Sequence, residues 1–103
     1  MCGRYFLHST ADKLSSLFGE MPMPVLAARY NIAPSQPIPV IRQNPAGRRE
    51  MVLVRWGLIP SWSKDPRIAY KLINARSETV AEKPSFRAAF KQRRCLILTD
   101  GYY

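Results

Sequence analysis

The 103-residue chain is long enough for one small domain and too short for two, and its 47% hydrophobic content excludes wholesale disorder. Sixteen basic residues face seven acidic ones for a net charge of +9, and eleven of the sixteen are arginines, a balance that favours a polyanionic partner, nucleic acid first. No run of eighteen apolar residues spans a bilayer, no secretory signal opens the chain, and the basic residues do not line one amphipathic face, so no membrane partner is expected.

Residues 3–7 read as a short strand, with Tyr5 and Phe6 as strand formers. A helix follows: Ser9 or Thr10 can cap it, Asp12 lies in its first turn, and Ala11, Leu14, Leu17 and Phe18 share one face. Gly19 ends it. The stretch MPMPVLAARYNIAPSQPIPVI carries five of the nine prolines, which forbids a long helix and predicts an extended segment pinned in turns. Pro37 and Pro39 flank a strand-like run, Ile38 to Arg42, expected at a sheet edge. NPAG at 44–47 is a turn, and Arg48 to Leu58 reads as the return strand of a hairpin.

A polar loop covers Pro60 to Arg67, and 68–76 reads as a short helical turn running into an irregular Asn-Ala-Arg segment. A helix capped by Ser85 is predicted to run to about Arg93, with Phe86, Ala89 and Phe90 on one face. Cys95 to Thr99 reads as a buried strand with Cys95 in the core, and Tyr102 and Tyr103 look like the start of another strand. The pattern is α+β, mainly antiparallel β with short peripheral helices, and holds no repeat, linker or second domain.

Cys2 and Cys95 lie at opposite ends without metal-ligand spacing, and His8 cannot complete a zinc site with them, so no metal or other cofactor is expected. Such cysteine usage suits a reduced, intracellular protein. Cys2 has a sharper reading. Removal of Met1 would leave an α-amine and a thiol on one residue, and a 1,2-aminothiol condenses with an aldehyde and then closes a five-membered thiazolidine ring. The plain alternative is a terminal cysteine with no role.

Arg4, two residues on, could hold a phosphate beside Cys2. Trp56 ends an apolar strand and reads first as core, whereas Trp62 in a polar loop could stack on a base or simply be exposed. RYNIAPS offers Asn31 for hydrogen bonding and Pro34 as a rigid wedge. NARSE at 74–78 packs an amide, a guanidinium and a carboxylate into five residues, as either a satisfied turn or a site.

MCGRY, RYNIAPSQ, RWGLIPSW, INARSET and RRCLILTDGYY, in this order, resemble the SOS response-associated peptidase (SRAP) family over essentially the whole sequence. The resemblance implies a barrel-like core of which residues 1–103 are the N-terminal portion of a single domain. It implies an abasic-site sensor in which Met1 is lost, by a host aminopeptidase or by autoprocessing, and Cys2 cross-links to single-stranded DNA as a thiazolidine. Cys2 and Asn74 carry the chemistry on this reading, Arg4 and Arg76 bind phosphate, and Arg87 matches a further phosphate contact more loosely. Pro34, Trp62 and the Asn31 segment border the DNA, and Glu78 belongs to the motif with either a site role or a structural ion pair.

The family setting is bacterial, cytoplasmic and nucleoid-associated, with no cofactor. In the family pattern a glutamate and a tryptophan follow GYY and a histidine comes later; this sequence holds neither, and His8 is no substitute. The expectation is therefore a truncated fold, with a second chain as one way to complete the sheet. The alternatives of another class are a non-catalytic single-strand binder and a thiol peptidase acting on proteins.

Overall fold

Strands at the two ends of the chain, Tyr5–Leu7 and Gly101–Tyr102, pair with each other, and this sets the architecture. A computed structural model describes residues 2–103. Its strands are β1 (Tyr5–Leu7), β2 (Arg29–Ile32), β3 (Pro37–Gln43), β4 (Arg49–Arg55), β5 (Leu96–Ile97) and β6 (Gly101–Tyr102). Helix α1 spans Ala11–Phe18, a 3₁₀ helix spans Pro66–Lys71, and α2 spans Arg87–Gln92. The strands form two antiparallel three-stranded sheets, ordered β2-β1-β6 and β4-β3-β5. The mainly antiparallel α+β class is as expected, while no closed barrel forms among the described residues.

Both sheets face one core. Tyr5 and Leu7 from β1, Ile32 from β2, Ile38, Val40 and Ile41 from β3, and Met51 from β4 are buried together with Leu14, Trp56 and Leu98. Each aliphatic side chain buried this way is worth about 1.5–3 kcal/mol relative to exposure. Helix α1 contributes Leu14. Thr10, not Ser9, is its cap and accepts from the Lys13 amide at 3.2 Å, and the Gly19 amide closes its far end on the Ser15 carbonyl at 2.8 Å. Leu17, expected on the packed face, is instead 65% exposed.

Strand β3 is central, not at an edge. It pairs with β4 along its whole length but with β5 only at Val40 and Ile41, beyond both prolines, so neither Pro37 nor Pro39 is asked for an amide on that side. The hairpin turns as predicted: the Asn44 side chain accepts from the Ala46 and Arg48 amides, both at 3.0 Å, and Gly47 takes φ 78°.

Strand β2 lies within the segment expected to be merely extended. It forms because Ile32 and Arg29 find Tyr5 and Leu7 across the sheet. The 3₁₀ helix realises the expected helical turn, with Asp65 capping it through the Arg67 amide at 3.0 Å. Helix α2 is shorter than predicted, and Phe86 occupies the cap position with no side-chain bond, so Ser85 does not serve there.

Residues 95–103 differ most from expectation. Cys95 is exposed, and Leu96 and Ile97 are 57% and 54% exposed. Only Leu98 of this run reaches the core, because β5 is a two-residue edge strand with nothing packed outside it among the described residues. The segment nevertheless finds partners within the chain, β5 on β3 and β6 on β1.

Asp100 locks that second pairing. It accepts from the His8 amide at 2.7 Å, the Ser9 amide at 2.8 Å and the Ser9 hydroxyl at 2.6 Å. The Ser9 hydroxyl chiefly, then the two amides and the nearby His8, hold its carboxyl down at about 2 against the opposing effect of burial. The His8 ring stacks between Phe6 and Tyr30, with centroids 5.9 Å from each.

Candidate functional site

The candidate site begins at Cys2, three residues before β1. Cys2 is half-buried and packs against the core, and its thiol points to the Arg4 carbonyl at 3.6 Å. Asn74 reaches it from 72 residues away: its Nδ2 donates to the Cys2 carbonyl at 2.7 Å. Arg4 immediately precedes β1, and its Nη1 donates to Asn31 Oδ1 on β2 at 3.1 Å. Four residues singled out in the sequence thus form two bonded pairs at one end of the β1–β2 sheet.

Asn74 is held from behind. The Trp56 indole N–H donates to the carbonyl of Ile73 at 2.9 Å, and the Leu58 amide donates to Leu72 at 3.0 Å. Between these anchors Gly57 takes φ 132°, and a Cβ there would lie 2.8 Å from the Ala69 carbonyl oxygen. Only glycine allows the segment 56–58 that follows β4 to press this closely on the 3₁₀ helix.

Pro34 sits in a turn on the other side of Trp56. The Ser35 amide donates to the Trp56 carbonyl at 2.9 Å, the Trp56 amide donates to the Gln36 carbonyl at 3.1 Å, and Ser35 itself takes φ 72°. The Arg29 guanidinium braces this turn through the Gln36 side chain at 2.9 Å and the Pro37 carbonyl.

Tyr5 packs edge-on against Trp56, centroids 5.6 Å apart at 61°. Its hydroxyl is buried and has no hydrogen-bond partner among the described residues. Burial raises this phenol above its ordinary range; Arg29 opposes the shift and Cys2 adds to it.

The remaining candidates make no hydrogen bond to the Cys2–Asn74 pair among the described residues. Arg76 is exposed in the turn that follows Asn74, where its carbonyl accepts from the Thr79 and Val80 amides at 3.2 and 2.9 Å. Glu78 is exposed and forms no ion pair among the described residues, so a structural salt bridge there is not found. Trp62 is 59% exposed, and its indole N–H reaches the Pro84 carbonyl at 3.4 Å. Arg87 opens α2, three residues beyond Pro84, with its side chain in solvent.

A groove of about 720 Å³ beside β5 is lined in part by Arg42, Lys91, Arg93, Arg94 and Cys95 and contains none of the candidate residues. Sequence reasoning missed the anchoring by Trp56 and the orphaned Tyr5 hydroxyl. The only signal for either was membership of the RWGLIPSW and MCGRY motifs.

Residues 1–103 match the family described as SOS response associated peptidase (SRAP) from end to end. The chain belongs to the SRAP family. Abasic site processing protein YoaM of Bacillus subtilis is 43% identical over 106 residues, which cover all of this chain and 46% of that protein. Abasic site processing protein HMCES of Xenopus tropicalis is 42% identical over 85 residues, covering 72% of this chain and 25% of that one. The chain spans about half the length of the Bacillus relatives it matches. A crystal structure of a Bordetella bronchiseptica protein superposes with a TM-score of 0.77 at 27% identity, over 99% of this chain and 50% of that one. The SRAP chain therefore shares its fold with a solved relative as well as its sequence with named ones.

Proposed function

We propose that this chain is an abasic-site sensor that binds single-stranded DNA and captures the open-chain aldehyde of the lesion on the Cys2 aminothiol. The observation that carries the reading is the 2.7 Å bond from Asn74 to the Cys2 carbonyl, which fixes the reacting residue on the body of the fold. The names of the Bacillus and Xenopus relatives support the substrate. The net charge of +9 supports a phosphate-rich partner.

The chemistry balances without a redox step. Hydrolysis of the Met1–Cys2 bond, by a host aminopeptidase or by the chain's own thiol, uses one water and frees the amine. That amine adds to the sugar aldehyde and expels one water to give an imine. The Cys2 thiolate then attacks the imine carbon, the nitrogen takes up a proton, and the thiazolidine closes. The former aldehyde carbon is now saturated, so it no longer acidifies the neighbouring C–H whose loss leads to strand cleavage. Holding amine, thiol and aldehyde together supplies the proximity such a closure needs.

Arg4, Arg76 and Arg87 take phosphates in this reading, Trp62 offers an exposed ring to an unstacked base, and Pro34 and Asn31 border the strand beside Cys2. Binding is then sequence-tolerant, and the place of action is the bacterial cytoplasm, at the nucleoid. A second chain that completed the fold would add along the free edge of β5.

The test is intact mass spectrometry of protein whose own mass shows that Met1 is gone, after incubation with a single strand carrying an abasic site. The expected product is protein plus oligonucleotide minus one water, absent for Cys2→Ser, while Cys2→Ser still binds the strand with the same dependence on salt. Failure of the Met1-free, folded wild-type chain to form the adduct overturns the reading.

A further inference from the structure

Three segments that carry candidate residues, at Tyr5, Pro34 and Asn74, are far apart in sequence, and all of them touch Trp56. The ring supports Tyr5 three residues after Cys2. The backbone accepts from the Ser35 amide and donates to the Gln36 carbonyl on the two sides of the Pro34 turn. The indole N–H holds the carbonyl immediately before Asn74.

A buried tryptophan needs some acceptor for its N–H, so a bond of this kind is ordinary in a core. The choice of acceptor is not. Ile73 is the residue whose backbone direction decides where Asn74 points, and the Leu58-to-Leu72 bond gives the same segment a second anchor. With 72 and 73 both fixed, the amide of Asn74 is aimed at Cys2 before any DNA arrives.

We propose that Trp56 is a positioning residue for the Cys2 reaction, acting through Asn74: its indole N–H fixes the Ile73 carbonyl and thereby aims the Asn74 amide at the Cys2 carbonyl. The inference rests on the function proposed above and adds to it a role for a side chain that packing alone would have explained. It requires that the indole N–H matter more to the reaction than to DNA affinity. It also requires that its effect vanish when Asn74 is absent.

Trp56→Phe keeps an aromatic ring and removes the donor. The expected result is a fall of about two- to fivefold in the first-order rate of adduct formation at saturating DNA, no larger than the fall caused by Asn74→Ala. Affinity for an undamaged single strand should stay within about twofold. In an Asn74→Ala background the same change should have almost no further effect. An equal loss in both backgrounds overturns the proposal and returns Trp56 to the core alone.

Site-specific replacement of Trp56 by benzothienylalanine, with sulfur in place of N–H in the same fused ring, serves if the phenylalanine variant fails to fold. A readout free of DNA separates this inference from the reaction. Hydrogen exchange of the Asn74 side-chain amide, followed by nitrogen-15 NMR, should be slow in the wild type and at least tenfold faster in either variant. Unchanged exchange overturns the positioning role. If the wild type forms no adduct, the proposed function falls and this exchange measurement still decides the role of Trp56.

Discussion

At the residue scale, the bond between Asn74 and Cys2 has a direction, and that direction can be tested. Nδ2 is the donor and the Cys2 carbonyl the acceptor. Asn74→Ala removes the donor, and a hydrogen bond of this kind has a net worth of about 0.5–1.5 kcal/mol, so the rate of adduct formation should fall about two- to tenfold. Asn74→Asp places a carboxylate oxygen against a carbonyl oxygen and should be slower still. The order wild type, alanine, aspartate in single-turnover rates checks the geometry, and an aspartate variant as fast as wild type contradicts it. Arg76, exposed and without a side-chain partner among the described residues, makes a different prediction. Arg76→Ala should weaken binding about equally for all sequences and reduce the salt slope of the affinity by about 1, as measured by titration at several salt concentrations.

At the scale of elements, two joints carry testable strain and charge. Gly57→Ala would force a Cβ to within 2.8 Å of the Ala69 carbonyl oxygen at φ 132°, which should cost about 2–3 kcal/mol in chemical denaturation and loosen the 3₁₀ helix. Asp100 joins β6 to the residues just after β1. Its folded value of about 2 lies below the unfolded carboxyl range, so its contribution is present above about pH 4 and is lost as pH falls through about 2. Asp100→Asn should lower stability by about 1–2 kcal/mol at neutral pH and flatten the acid limb of a stability-against-pH curve.

Several elements could be read from local sequence, and others depended on partners that the sequence does not show. Helix α1 and the Asn44 turn are local: a cap, an apolar stripe and an Asn-to-Gly loop suffice. The central position of β3 is not local, because prolines mark where an amide is missing but not which neighbour would have needed it. The burial expected of Cys95 failed for a related reason. An apolar run reads the same whether a second layer covers it or not.

At the scale of the whole molecule, the candidate residues were legible as motifs, while their meeting was not. Nothing local tells that the side chain at 74 reaches the carbonyl at 2, or that Arg4 pairs with Asn31; these depend on β1 pairing with β2 and on Trp56 anchoring the segment at 73. The fold's first strand is also completed very late in the chain. Tyr5 and Phe6 pair with Tyr102 and Gly101, and Asp100 ties down His8 across 92 residues of sequence. A ribosome adding about 5–20 residues per second takes several seconds or more to cover that distance. Throughout that interval β1 lacks its β6 neighbour. On the function proposed above, an aminopeptidase working on nascent chains would act before β6 joins β1 and before Asn74 reaches the Cys2 carbonyl. The order of synthesis, more than any affinity, would then let Cys2 be unmasked before Asn74 fixes its carbonyl.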